Sequence, residues 1–288
     1  MNSKNKGIVF IIFSAFFFAL MNVFVRMAGD IPSIQKSFFR NLVAFLFALA
    51  IIMKNKDGFS IQKKNLPYFL LRSIFGTMGI FCNFYAVDHL VLADASMLNK
   101  MSPFFAVIFS IFILKEKVKP AQAFAIITAF LGSLFIMKPT IAGMDISSAL
   151  IGLLGGACAG IAYTFVRFLG QRGEKGSFIV LFFSAFSCAV VIPYLLVAYT
   201  PMSLTQLVFL LLAGAAAAGG QFSITAAYCH APAREISVYD YSQVIFSTLL
   251  GFFFFGQIPD GYSFLGYAII CSMAVFMYLY NRRACDLP

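Results

Sequence analysis

The stretch "GIVFIIFSAFFFALMNVFV", residues 7–25, runs from end to end without a charge. A hydrocarbon core about 30 Å thick is crossed by roughly 20 helical residues rising about 1.5 Å each, so this stretch has the length and composition of one membrane span. It is too long for the apolar core of a secretory leader, and no small-residue cleavage site follows it. The remainder has the same character: of 288 residues, 61% are hydrophobic, 37 are phenylalanine and 11% are charged. That composition excludes a soluble globular domain. Cutting the chain at its polar breaks gives ten apolar runs, with approximate limits 7–28, 32–53, 67–88, 91–114, 119–138, 147–169, 177–199, 204–228, 233–255 and 262–281. Connections such as "PMS" at 201–203 are too short for an extramembrane domain. Neighbouring helices therefore form antiparallel hairpins, and the chemistry must lie within the bilayer.

A formal net charge of +10 would suggest nucleic acid in a soluble chain. Here the basic residues fall mostly in the short connections, where they set membrane orientation, and no nucleic acid partner is expected. With the amino terminus inside, 16 of the 21 lysines and arginines face the cytoplasm, grouped at 4–6, 54–72, 115–119, 167–175, 234 and 282–283, Arg72 among them. Arg26, Lys36 and Lys138 fall on the other side. The bias predicts ten spans with both termini cytoplasmic.

The chain is also written twice. A shift of 140 lays "YFLLRSIFGTMG" on "VFLLLAGAAAAG" and pairs Ala86 with Ala226, Ser102 with Ser242, Phe124 with Phe264 and Met137 with Met277. A shift of 141 lays "NVFVRMAG", from Asn22, on "YTFVRFLG", from Tyr163. Single matches between apolar segments mean little; the nearly constant offset from first span to last carries the reading. Each copy holds five spans, an odd number, so the second enters the membrane from the opposite side. The expected fold is an all-α membrane protein of ten transmembrane helices in two inverted five-helix repeats, residues 1–140 and 141–288. Inverted repeats provide a route to alternating access around a site at their interface.

Ionisable residues at bilayer depth cost at least about 2.5 to 3.5 kcal/mol on insertion scales and face a cavity or a partner. Arg40, Lys100 and Asp240 have that depth, and the 140-residue offset places Lys100 and Asp240 at one position of the two copies. Residues related by a pseudo-two-fold axis meet if they lie near it, so an ion pair is expected, either neutralising itself or also binding substrate or a proton. Asn99, Ser102, Tyr239, Tyr241, Ser242 and Gln243 share these turns. Arg40, in "FFRNL", would suit a carboxylate, on Asp240 or on the substrate. Asn22, its counterpart Tyr163, and Asn83 with Tyr85 complete the cavity candidates. Asp88, His89 and Asp94 lie near the outer surface, as a solvated loop or an acidic mouth.

"GLLGGACAG" sets Gly152, Gly156 and Gly160 on one helical face, suited to close packing or to a face that slides during gating. "AGAAAAGG", residues 213–220, reads the same way. The six cysteines show no CxxC spacing, and neither His89 nor His230 has a partner at ligand spacing, so neither metal nor cofactor is expected. No phosphate-binding loop, nucleophile elbow or zinc-hydrolase helix is present, which argues against direct use of ATP and against an enzyme.

The stretch "FYAVDHLVLADASMLNKMSPFFAVIFSIFILKEKV", residues 84–118, and "FFRNL" resemble the third to fourth and the second spans of the drug/metabolite transporter superfamily, in its ten-span type built from two EamA-like halves. The second copy departs from the pattern, with Gln243 where Pro103 stands and Gly256 where Glu116 stands. The resemblance implies a central cavity lined by the first four helices of each half, with spans five and ten peripheral and available for a homodimer. Together the readings predict a secondary transporter of a small polar or zwitterionic metabolite, led by amino acids and their derivatives, in a bacterial plasma membrane. A proton-coupled exporter of cationic or aromatic compounds, with Asp240 as exchange site, is the second transport reading; a membrane enzyme or sensor would need features that are missing.

Overall fold

The computed structural model describes residues 3–55, 62–90, 92–138, 145–256, 258–259 and 261–286, with only the backbone for 87–88, 92–95 and 283–286. The side chains of Asp88 and Asp94 therefore lie outside the described residues. Twelve α-helices account for nearly all of it: α1 Ser3–Met27, α2 Ser33–Lys54, α3 Leu66–His89, α4 Leu92–Asn99, α5 Ser102–Leu114, α6 Pro120–Met137, α7 Ile146–Gln171, α8 Gly176–Ala198, α9 Leu204–His230, α10 Ala233–Asp240, α11 Ser242–Phe255 and α12 Gly261–Asp286. No strand occurs among the described residues. Ten segments are long and apolar enough to cross a membrane, α4 with α5 and α10 with α11 each forming one.

Local chemistry sets the helix limits. Ser203 and Gln206 cap α9 reciprocally, side chain to backbone N–H in both directions. Asp145 accepts from the Ser148 N–H at 2.9 Å to open α7. Asp145 also accepts from the Ser148 and Ser147 hydroxyls, and these hydrogen bonds hold its carboxyl well below the usual range. Prolines occupy the first turns of α3, α5 and α6, where a missing N–H costs nothing. Left-handed residues, Lys115 at φ 55° and Gly256 at φ 65°, end α5 and α11.

The helices pack in matched sets. α1 lies along α9 as α3 lies along α7, and α11 packs on α1 as α5 packs on α7. α2 faces α8, and α6 faces α12. The 140-residue correspondence carries each of these pairs onto its counterpart or onto itself. Small residues make the closest approaches: a methyl group built on Gly79 would stand 3.2 Å from the Gly155 carbonyl oxygen, so the backbones of α3 and α7 touch. One on Gly156 would stand 2.7 Å from the Leu98 carbonyl oxygen, seating α7 against the end of α4.

Both the fourth and the ninth spans are interrupted, at the same point of the repeat. α4 stops at Asn99 before α5 resumes at Ser102, and α10 stops at Asp240 before α11 resumes at Ser242. Pro103 accounts for the first interruption, since it lacks an N–H and crowds the preceding turn. Gln243 stands at that place in the second copy, so the second break is held by tertiary contacts rather than imposed by the chain.

Candidate functional site

An interrupted helix leaves backbone groups without intrahelical partners, and in a bilayer these must be satisfied internally. Each interruption is served by a side chain from the other. Lys100 Nζ donates to Asp240 Oδ2 at 2.9 Å, to Gln243 Oε1 at 2.7 Å and to the Asp240 carbonyl oxygen at 3.4 Å. The Tyr241 hydroxyl in turn donates to the Lys100 carbonyl oxygen at 3.3 Å. Lys100 and Asp240 are 7% and 8% exposed, and Tyr241 is fully buried. The three donors of the ammonium are thus all engaged, and the pair is closed on itself.

Two further cations lie within the spans, and their surroundings are different. Arg40 of α2 sits over the Phe18 ring, 5.9 Å from its centroid, and does not join Asp240. Arg72, which the charge count assigns to the cytoplasmic connections, is instead 2% exposed between the helices, 4.0 Å over the ring of Phe183 on α8. Its Nε has no hydrogen-bond partner among the described residues. Tyr163 stacks on Tyr228 with centroids 5.0 Å apart and planes at 11°.

The remaining candidates divide. Asn99 donates to Asn83 Oδ1 at 2.7 Å, tying α4 to α3 beside the interruption, and Ser102 is buried just beyond it. Asn22 is exposed on α1 and Tyr85 is exposed where it stacks on His89. Tyr239 is buried with its hydroxyl unpartnered among the described residues. Of the two tyrosines sharing these turns, Tyr241 is the one whose hydroxyl reaches Lys100. Arg72 and Tyr228 were not among the sequence candidates; the glycine one turn after Arg72 is a sign of its place that the sequence offered. No three His, Cys, Asp or Glu are placed to hold a metal among the described residues.

At the end of the bundle that carries Ser3, polar contacts join the two halves. Glu116, just past α5, meets Arg167 Nε at 3.6 Å and Arg234 Nη1 at 3.9 Å. Arg167 also donates to the Cys229 carbonyl oxygen at 3.1 Å, capping α9. Lys4 meets Glu235 at 3.3 Å and Asn65 donates to Glu174 at 2.6 Å. Burial pushes the Glu116 carboxyl above the usual range, against the pull of Arg167 and Arg234. At the opposite end the halves meet through an amide pair, Gln35 Nε2 donating to the Thr200 carbonyl at 2.9 Å and Thr200 N–H to Gln35 Oε1 at 3.0 Å.

Known proteins resemble this chain in sequence and in fold. Residues 5–138 match the EamA-like transporter family. The chain is 30% identical to the pseudopaline exporter of Pseudomonas aeruginosa over 267 residues, 92% of this chain and 93% of that protein. It is 27% identical to the riboflavin transporter of Rhizobium johnstonii over 288 aligned positions, 94% and 90% of the two chains. A crystal structure at 16% identity superposes with a TM-score of 0.82, covering 97% of this chain and 99% of that one, and shares its fold.

Proposed function

The chain belongs to the EamA-like transporters of the drug/metabolite transporter superfamily, and we propose that it works as a secondary transporter, moving a small polar or zwitterionic organic metabolite by alternating access of two inverted halves. Its relatives are transporters of small metabolites, it is not an enzyme, and it is a multi-pass protein of the bacterial inner membrane. The observation that carries the proposal is the meeting of two interrupted spans at Lys100 and Asp240, equivalent positions of the two copies. Interrupted spans beside a site between repeats are the arrangement by which such proteins bind a charged solute at mid-membrane. The matched helix packing supports the repeat reading, and the basic connections support cytoplasmic termini. The ion pairs at the Ser3 end brace that face, so a solute reaching the arginines would enter from the other.

On this reading Lys100 and Asp240 set the register of the halves, and the cavity beside them takes the solute. Proton exchange on Asp240 is the weaker reading, because the Lys100 ammonium already occupies its carboxylate at 2.9 Å. Purified protein in liposomes tests the proposal: labelled amino acids and their derivatives should exchange across the bilayer, by counterflow, without ATP. Failure to move any of them along any imposed gradient would overturn it. Asp240→Asn separates the two transport readings, since a proton-driven exporter would lose its response to a pH gradient and keep passive exchange, whereas the register role predicts loss of both.

A further inference from the structure

α5 packs on α7 as α11 packs on α1, and the repeat offset carries one contact onto the other. Their ends differ by one charge. Where α5 ends, Glu116 faces Arg167 of α7 at 3.6 Å. Where α11 ends, Gly256 stands in that place, and Arg26 of α1, the counterpart of Arg167, lies exposed with its guanidinium 4.4 Å from the centroid of the Phe255 ring. Neither Gly256 nor the next residue, Gln257, is an acid. The inner contact is ionic and its counterpart is a cation over a ring.

The backbone presents Glu116 to its partners. Lys115 turns left-handed at φ 55°, and the Glu116 N–H then bonds the Ser110 carbonyl oxygen at 3.2 Å, which fixes the first residue beyond the helix. Arg167 is fixed from the other side, its Nη1 donating to the carbonyl oxygens of Cys229 at 3.1 Å and Tyr228 at 3.4 Å at the end of α9. A methyl group on Gly170 would stand 3.0 Å from the Cys229 Cα, so the ends of α7 and α9 touch. Arg234, at the start of α10, reaches the second Glu116 oxygen at 3.9 Å, and Lys4 meets Glu235 beside it at 3.3 Å. Both of these ion pairs join a residue before position 140 to one after it, as the Glu116–Arg167 pair does.

The two Glu116 contacts are long. Glu116 Oε2 and Arg167 Nε have no hydrogen-bond partner among the described residues, whereas Lys100 and Asp240 are bonded at 2.9 Å. Coulomb attraction survives such a gap, and the directional part of a hydrogen bond does not. The core pair is suited to holding, and the Glu116 group to parting and meeting again.

We propose that Glu116 is the hub of an ionic latch closing the Ser3 end, and that the lack of an acid at the matching place beside Arg26 biases the protein toward the state open at the opposite end. The proposal rests on the transport reading and adds to it a preferred resting side. Closing the Ser3 end brings one carboxylate to two guanidiniums, while closing the other returns Arg26 to a phenylalanine face, a weaker contact at an exposed site.

Amide hydrogen exchange on the purified full-length protein, read by mass spectrometry, tests this with no solute present. In Glu116→Gln, residues 228–237 should exchange about threefold faster, the scale of one partly exposed ion pair, and residues 29–36 and 199–203 should exchange more slowly, because one end opens as the other closes. Arg234→Gln removes one arm and should give smaller shifts in the same senses. Arg26→Gln should move neither end. Unchanged exchange in α6 and α12 shows that the variants are folded. The latch is overturned if neither end changes, if the Ser3 end loosens while the opposite end stays as it was, or if Arg26→Gln acts as strongly as Glu116→Gln. Solute movement in liposomes is read separately: opposite shifts at the two ends without movement of any solute would retire the transport reading alone, and movement without those shifts would retire the latch alone.

Discussion

Two groups of charge lie within the spans of this bundle, and they are built on opposite principles. Lys100, Asp240, Gln243 and Tyr241 satisfy one another, ammonium, carboxylate and both freed carbonyls included. Arg40 and Arg72 satisfy nothing beyond two aromatic faces. A completed network contributes to one specific arrangement of the helices, whereas an incomplete one costs stability and persists for a reason outside the fold. The difference separates side chains that complete one another's hydrogen bonds from side chains that rest on aromatic faces alone.

The contrast breaks most sharply on stability. Asp240→Ala strands the Lys100 ammonium and should cost about 3 to 5 kcal/mol, read by unfolding in detergent, while Arg72→Met should cost nothing. Equal losses from the two would erase the distinction. The exchange of charges, Lys100→Asp with Asp240→Lys, sharpens it next: recovery of about 0.5 to 3 kcal/mol over the sum of the single changes is expected for residues in contact, and strict additivity would mean the pair does not act as one. Smaller still is the comparison of tyrosines. Tyr241→Phe orphans the Lys100 carbonyl and should cost about 0.5 to 1.5 kcal/mol, whereas Tyr239→Phe removes a hydroxyl that has no partner and should be neutral.

The smallest effect concerns pH at the Ser3 end. Burial raises the Glu116 carboxyl, so the folded protein holds that proton more tightly than the unfolded chain. Its contribution is complete below the usual carboxylate range and is lost as pH rises through the raised folded value. Stability measured across that window should fall more gently in Glu116→Gln, and an unchanged slope would remove Glu116 from the account. Asp145, whose carboxyl is lowered, works in the opposite sense, contributing above the usual range and losing that contribution on acidification.

Ten spans were legible because each is a run of about 20 apolar residues bounded by turn and charge signals. The meeting of Lys100 with Asp240 was legible because the repeat offset converts sequence position into position about an axis. Arg72 was not. Six residues into α3 it looks like a charge near a helix end, and only Phe183, 111 positions later, and the space left by Gly76 reveal its place. That Tyr241 rather than Tyr239 reaches Lys100 was not legible, because periodicity assigns neighbours along a continuous helix, and the ninth span is not continuous there. Asn22 resembled a cavity residue by its amide alone, and the structure leaves it exposed.

The unequal origin of the two interruptions has a mechanical consequence. Pro103 makes the fourth span a permanent elbow, since no rearrangement restores the missing N–H. The ninth span carries Gln243 instead and owes its bend to Lys100 and Tyr241. Once those contacts part, its backbone is free to straighten into an unbroken rod, recovering hydrogen bonds that offset some of the lost ion pair. On the proposed alternating-access reading, one half turns on a rigid corner and the other on an elastic one, and the work of changing sides falls mainly on the second.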